Sequence, residues 1–113
     1  MTRDRDLYSG LVRLHILYHA AKEPIYGLGI IEELDRHGYR LSPGTIYPLL
    51  HGLERKGYLR SKEVRNGSRG RRIYEATAQG KRALDDAREK VRELFGELIE
   101  GEDPAQRGSR RKK

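Results

Sequence analysis

The spacing of apolar residues changes twice along this chain, and these two changes restrict its fold more than any other feature of the sequence. Up to residue 57, apolar residues recur every three or four positions within separate segments, which is typical of amphipathic helices. Residues 58–64 and 71–76 are instead short extended runs, and the helical spacing returns after Thr77. The order is three helices, a β-hairpin and a last helix, so we predict a mainly α fold with a small β-hairpin.

The first two helical segments differ in their apolar faces. Residues 6–22 are apolar on more than one face, so this helix needs two neighbours, for example its own domain and a partner subunit. Residues 26–37 carry one stripe of Leu28, Ile31 and Leu34 and end at Gly38, which suits a helix C-cap. We expect a two-faced first helix and a short second one.

The third helix has the clearest start signal. Ser42 is a good N-cap residue, and Pro43 takes the first helical position, where its missing amide costs nothing. The buried face is predicted from the spacing i, i+3, i+4 and i+7 and consists of Ile46, Leu49, Leu50 and Leu53. The opposite face collects Thr45, Tyr47, Pro48, His51, Gly52 and Arg55. We expect this helix to end before Gly57.

The hairpin is predicted to have a long basic tip at residues 66–70, which are rich in residue types that tolerate positive φ. Arg65, Arg69, Arg71 and Arg72 lie in or beside this tip, and no acidic residue occurs between residues 64 and 74. Arginines without counter-charges are available to phosphate oxygens. The alternative is a solvated hairpin whose arginines only maintain solubility.

The net charge of +7 is local. Residues 55–82 hold 10 basic and 2 acidic side chains, whereas residues 83–103 hold 3 basic and 8 acidic ones. The middle segment therefore points to a polyanionic partner. Residues 102–113 are expected to form a disordered basic tail, with a solvated terminus or an expression remnant as the alternative.

The last helix is expected to be capped by Thr77, to begin near residue 78 and to run to about residue 100. Its apolar residues follow the alternating steps of a coiled-coil seam, at Leu84, Ala87, Val91, Leu94 and Leu98. Two heptads are too short to be stable alone in water, so this seam must pack on the first helix or on a second copy.

This layout is that of a winged helix-turn-helix with a long C-terminal helix. A helix N-terminus with short polar side chains enters a major groove, while a basic ribbon contacts the flanking phosphates. We assign residues 1–82 to the DNA-binding domain, with a wing at about 58–76, and residues 83–101 to the remainder of a dimerisation helix.

The chain resembles the PadR family of bacterial transcriptional regulators at several motifs. These are Tyr26 and Gly27, the run LSPGTIYPLL at residues 41–50, Leu53 with Glu54 and Gly57, and residues 70–74 and 77–80. The resemblance covers roughly residues 7–82 and implies a winged helix that dimerises through its last and first helices. The single C-terminal helix is similar to the short branch of that family.

The helix-three face and the resemblance together give the candidate DNA-contacting residues, which are Tyr26, Gly27, Ser42, Thr45, Tyr47, Pro48, His51, Arg55, Arg69, Arg71 and Arg72. Ser42 and Thr45 as plain capping residues, and Tyr47 as a packing residue, are the alternatives. The candidate dimer contacts are Leu7, Leu11, Leu84, Val91, Leu94, Phe95 and Leu98.

The resemblance also implies a small-molecule effector, commonly aromatic, near the dimer interface. The short branch has an aromatic ring at the position of Val91, so a flat ligand held between two rings is not expected here. The candidate effector contacts are Tyr8, Val12, Tyr18, Val91 and Phe95. Ordinary core and interface packing is the alternative role of these residues.

Several other functional classes lack support in the sequence. His15 and His19 are four residues apart and suit a shared metal, but no third ligand is evident, so we expect neither a metal site nor a cofactor. The chain has no cysteine, no nucleophile elbow and no phosphate loop, so we expect no enzyme. It has no membrane-length apolar stretch and no signal pattern, so we expect a cytoplasmic protein.

The sequence thus predicts a homodimeric repressor on a pseudo-palindromic operator, with its two recognition helices in successive major grooves about 34–36 Å apart. The alternative is a small basic RNA-binding or ribosome-associated protein, or a winged helix used only for protein contacts.

Overall fold

The computed structural model describes residues 5–67 and 69–101, and the side chains of residues 5, 6, 66 and 69 lie outside that description. Its elements are α1 (Arg5–Lys22), β1 (Ile25–Tyr26), α2 (Gly27–Arg36), α3 (Pro43–Arg55), β2 (Leu59–Asn66), β3 (Arg69–Ala76) and α4 (Ala78–Leu98). The predicted mainly helical fold with a hairpin is confirmed. The basic tail predicted at residues 102–113 lies outside the described residues. Within those residues, no helix is both long enough and apolar enough to cross a membrane.

The strand β1 was not predicted. It pairs antiparallel with β3 through Ile25 opposite Tyr74 and Tyr26 opposite Ile73, which gives the sheet order β1-β3-β2. Two residues carry no periodic signal of their own, and this strand exists because a distant strand supplies its hydrogen bonds. As a result, the start of α2 is attached directly to the wing.

The hairpin is longer and its tip shorter than predicted. The strands β2 and β3 stay paired from Leu59 opposite Ala76 to Asn66 opposite Arg69, so the chain reverses between Asn66 and Arg69. Gly67 within this reversal has a φ of 69°, which glycine adopts at no steric cost. The predicted tip at residues 66–70 was therefore wrong, because ladder pairing continues beyond the apolar part of each strand.

The core lies between α1, α2, α3 and the sheet. Tyr74 is its largest fully buried side chain and is only 1% exposed. The other buried apolar residues are Val12, Ile16, Leu17, Ala20, Ile25, Ile30, Leu34, Ile46, Leu50, Leu53, Leu59 and Ala76. Three of the four predicted core residues of α3 are among them, while Leu49 is only partly buried at the edge.

The helix ends follow their predicted signals, with one exception. Thr77 caps α4 by accepting a bond from the Gly80 amide at 3.0 Å, and it donates to the Gly57 carbonyl at 2.6 Å. Gly38 has a φ of 90° directly after α2, as a C-cap glycine does. Ser42 is at the N-cap of α3, but its hydroxyl makes no cap bond and lies 3.4 Å from the Thr45 hydroxyl instead.

Candidate nucleic-acid interface

The start of α3 presents an open, polar face. Ser42 and Gly44 are exposed, and so are Pro48 and His51 further along the helix. The first amides of a helix have no intrahelical partner, and the helix dipole favours an anion beside them. Pro43 has no amide proton and the Thr45 amide donates to the Ser42 carbonyl at 3.0 Å, so this end of α3 offers the positive end of the helix dipole together with short polar side chains. This combination suits phosphates and base edges.

Tyr47 fixes how α3 sits against α2. Its ring lies over Gly27, the first residue of α2, so closely that a Cβ added to Gly27 would overlap the Tyr47 hydroxyl. Tyr47 is half-buried and also packs within the edge of the core. The alternative role of Tyr47 as a packing residue therefore applies to the buried part of its side chain. The exposed part remains on the α3 face.

Arg71 in the wing is held by an aromatic ring from β1. Its guanidinium carbon lies 3.8 Å from the centroid of the Tyr26 ring. A cation over an aromatic face at this distance is attracted by the ring quadrupole, and the stacking restricts the arginine rotamers. Arg71 is thus positioned while its side chain stays exposed.

Arg72 is anchored in a different direction. Its Nη1 donates to Ser61 Oγ at 3.0 Å, and Ser61 Oγ donates to Glu54 Oε2 in α3 at 2.7 Å. Neighbouring residues of a strand point to opposite faces of the sheet. Arg71 therefore lies on the face that carries the Tyr26 ring, and Arg72 lies on the face that is turned toward α3. The sequence predicted wing arginines without counter-charges, but Arg72 is linked through Ser61 to the carboxylate of Glu54. That prediction considered only the hairpin, whereas Glu54 comes from α3.

Arg55 and Arg69 are the two remaining predicted DNA contacts. Arg55 is exposed at the last turn of α3. The backbone of Arg69 belongs to β3, and its side chain lies outside the described part of the chain. Sequence reasoning missed Ser61 and Glu54. Strand alternation places Ser61 on the face of Leu59, but its partners depend on a register that the sequence does not reveal.

A second surface, the groove between α1 and α4, has a volume of about 590 Å³. Of the candidate effector residues, Tyr18, Val91 and Phe95 line this groove. Val12 is instead a core residue, 4% exposed, and Tyr8 packs edge-on against Tyr39 with ring centroids 6.3 Å apart.

Most of the candidate dimer residues form an exposed apolar face that includes part of the lining of this groove. Leu94 is 44% exposed and Leu98 is 72% exposed. The other exposed members are Leu7, Leu11, Val91 and Phe95. Leu84 differs, since it is partly buried against the core. One face of α4 therefore supports the domain at its start and faces solvent over its second half.

This chain is similar to known proteins in sequence and in fold. The transcriptional regulator Rv3488 of Mycobacterium tuberculosis strain H37Rv is 46% identical over 98 residues, which covers 87% of this chain and 92% of that protein. The crystal structure of a PadR family regulator from Eggerthella lenta has a TM-score of 0.73 at 31% identity and covers 86% of this chain and 88% of its own. A PadR-like regulator from Bacillus cereus has a TM-score of 0.72 at 25% identity, with coverages of 86% and 99%.

The family assignment follows from the matched region as well as from these relatives. Residues 16–86 match the Transcriptional regulator PadR-like family, which is a family of regulators and not of enzymes. The matched region contains α2, α3 and both strands of the wing, the elements that carry the interface described above. The chain belongs to the PadR-like family of transcriptional regulators.

Proposed function

We propose that this chain is a homodimeric, ligand-responsive repressor that acts in the cytoplasm and binds a pseudo-palindromic DNA operator. The observation that carries the proposal is the anchoring of Arg71 and Arg72 on opposite faces of β3, by Tyr26 and by the Ser61–Glu54 pair. Pre-positioned guanidinium groups lose little entropy on contact with phosphate, which favours binding. The wing is thus suited to contact the backbone beside a groove.

In this proposal, the exposed start of α3 recognises the DNA sequence. Ser42, Thr45, Tyr47, Pro48 and His51 face the major groove, and Tyr26 and Gly27 hold the helix-turn-helix at its angle. Arg55 follows at the end of the same helix. Phosphate contacts by the wing then set the register, and base-edge contacts by α3 provide sequence preference.

The exposed apolar face of α1 and α4 supports the dimer. Large solvent-exposed apolar patches commonly mark protein interfaces. Two copies joined through α4 would present two copies of α3 to one duplex, as a pseudo-palindromic operator requires. Such a dimer acts as a repressor by occluding the promoter.

The groove between α1 and α4 supports a ligand response. Tyr18, Val91 and Phe95 offer it an apolar wall suited to a small apolar or aromatic molecule. A ligand in this groove contacts both α1 and α4. It thereby changes the distance between the two copies of α3 in the dimer.

The test is binding of the full chain to labelled duplexes, measured by fluorescence anisotropy at several salt concentrations. We expect the DNA upstream of its own coding sequence to bind at least about 10³-fold more tightly than random DNA. Equal affinity for that DNA, random DNA and structured RNA would favour the alternative of a general RNA-binding protein. No binding to any of the three would favour a winged helix used for protein contacts.

The wing is tested by the double variant Arg71→Ala/Arg72→Ala. Each lost phosphate contact reduces the slope of log K against log salt by about 0.9, so we expect the slope to flatten by about 2. Binding should weaken on every DNA sequence. Lys90→Ala removes an exposed charge from α4, outside this interface, and should leave the slope unchanged. An unaltered slope in the double variant would contradict the role of the wing.

A further inference from the structure

Three of the four histidines of the chain converge at the edge of the groove between α1 and α4. His15 and His19 come from α1, and His37 follows the last residue of α2. One ligand nitrogen from each imidazole lies within 4.8 Å of the others. The ring centroids of His15 and His37 are 5.0 Å apart, and those of His19 and His37 are 5.9 Å apart. The third imidazole that the sequence did not reveal is therefore His37, brought in by the packing of α2 on α1.

A carboxylate completes the cluster. Glu33 Oε2 lies 3.4 Å from His37 Nε2 and 3.9 Å from His19 Nε2. The other oxygen, Glu33 Oε1, accepts a bond from Arg36 Nη2 at 2.7 Å. That bond lowers the pKa of Glu33 and fixes the carboxylate orientation, with one oxygen turned toward the imidazoles.

The state of the imidazoles suits a cation. His19 Nε2 is buried and has no hydrogen-bond partner in the described structure, although buried polar atoms normally have one. Burial lowers the pKa of both His15 and His19. A neutral imidazole offers the lone pair that a metal ligand must provide.

We propose that His15, His19, His37 and Glu33 bind a divalent transition-metal ion of the zinc type. Three nitrogens and one carboxylate oxygen are a ligand set of tetrahedral zinc, whereas magnesium and calcium prefer oxygen ligands alone. Zinc–nitrogen bonds of about 2.0–2.1 Å place tetrahedral ligand atoms about 3.3 Å apart. The ligand nitrogens, which lie within 4.8 Å of one another, would therefore move closer by at most about 1.5 Å on binding the ion.

The arginines near the cluster are paired with carboxylates, whereas Lys22 keeps its charge beside the uncharged Tyr18 hydroxyl. Arg88 and Arg92 line the same groove from α4, but Arg88 lies 3.9 Å from Asp85 and Arg92 bonds to Glu89. Arg36 is bonded to Glu33, as described above, and Lys22 donates to the Tyr18 hydroxyl. An incoming divalent ion thus meets an imidazole cluster with one anionic oxygen. Once bound, the ion would join α1 to α2 and stabilise the folded chain by mass action.

The experiment is calorimetric titration of zinc chloride into the full chain, purified without a polyhistidine tag. We expect one zinc per chain and a rise in Tm with zinc, and no binding of magnesium at the same concentration. His37→Ala and His19→Ala should each weaken zinc binding at least about tenfold. His51→Ala is the matched control, because it removes the one histidine outside the cluster and should bind zinc as the wild type does.

A second pair of variants tests the carboxylate. Glu33→Gln should weaken zinc binding about tenfold, while Glu32→Gln, its exposed neighbour, should not. Equal affinities of these two variants would contradict the role of Glu33.

Imidazole NMR signals of the wild-type chain give a readout that does not depend on any variant folding. Zinc should shift the signals of His15, His19 and His37 and leave His51 unchanged. Absence of stoichiometric binding, or loss of binding in His51→Ala as large as in His37→Ala, would overturn the site. None of these measurements involves DNA, so their failure would leave the proposed function untouched.

Discussion

Gly27 is the residue whose replacement has the most direct steric consequence. A methyl group at this position would overlap the ring and hydroxyl of Tyr47, which lies on the α3 face. We expect Gly27→Ala to lower the free energy of unfolding by about 1–3 kcal/mol, the usual cost of overpacking a closed contact. Urea unfolding followed by circular dichroism measures this change. DNA binding should weaken as well, because Tyr47 must move.

Gly44→Ala is the control for this substitution. A Cβ at Gly44 would meet only Ser42 Oγ, at an ordinary contact distance of 3.6 Å, so stability should not fall. In a Tyr47→Ala background, Gly27→Ala should cost little further stability, because the overlapping ring is gone. Equal stability of Gly27→Ala and the wild type would show that Tyr47 is not packed as described.

Tyr74 gives a prediction for alkaline pH. Burial raises the pKa of its phenol, with a smaller contribution in the same direction from Glu54. The unfolded chain therefore loses this proton first, so the stability that Tyr74 contributes is present below about pH 10 and is lost as pH rises beyond it. Tyr74→Phe should flatten the decrease in Tm between pH 9 and pH 11, whereas Tyr18→Phe, at an exposed position, should not. Parallel pH profiles of Tyr74→Phe and the wild type would contradict the assignment.

At the residue scale, the sequence predicted the members of the α3 face but not the contacts that position them. Ile46 and Leu50 on one side and His51 on the other follow from a period of 3.6 residues, which is a local property. The stacking of Arg71 on Tyr26 depends on β1 lying beside β3, and no local pattern encodes that pairing. Tertiary contacts of this kind require the register of the sheet.

At the scale of elements, the junction between the wing and α4 depends on Thr77. This side chain caps α4 and also bonds to the Gly57 carbonyl, so it joins the end of α3 to the start of the last helix. We expect Thr77→Ala to cost about 1–2 kcal/mol in the free energy of unfolding, since both bonds are lost. Thr77→Ser keeps the hydroxyl and should remain near the wild type. Similar losses in both variants would assign the effect to the methyl group instead.

The elements were predicted with unequal success for a physical reason. The start of α3 at Pro43 and the start of α4 at Ala78 agree with the capping signals, because a cap is read from adjacent residues. The strand β1 and the full length of the hairpin were missed, because a strand ends where its partner ends. The ends of the helices are thus determined mostly by neighbouring residues in the sequence. The ends of the strands in this chain are determined by the strands that pair with them.

At the scale of the whole molecule, charge and apolar surface are separated. The basic excess of residues 55–82 lies on the end of α3, the wing and the corner, whereas residues 83–103 are acidic overall. The helix α4 itself is neutral, with five basic and five acidic residues, and its first two basic residues, Lys81 and Arg82, belong to the basic segment. The exposed apolar face of α4 and the basic wing therefore serve different partners in the proposed dimer.

The dimer is tested by placing two charges on the exposed part of that face. Leu94→Asp/Leu98→Asp changes side chains that are 44% and 72% exposed in the single chain, so folding should persist while association is lost. We expect this variant to sediment as a monomer at concentrations where the wild type is a dimer, and its affinity for the operator to fall because two half-sites are no longer bound together. Leu28→Asp places one acid at a 60% exposed leucine of α2 and should remain dimeric. A double variant that still sediments as a dimer would place the interface elsewhere on the chain.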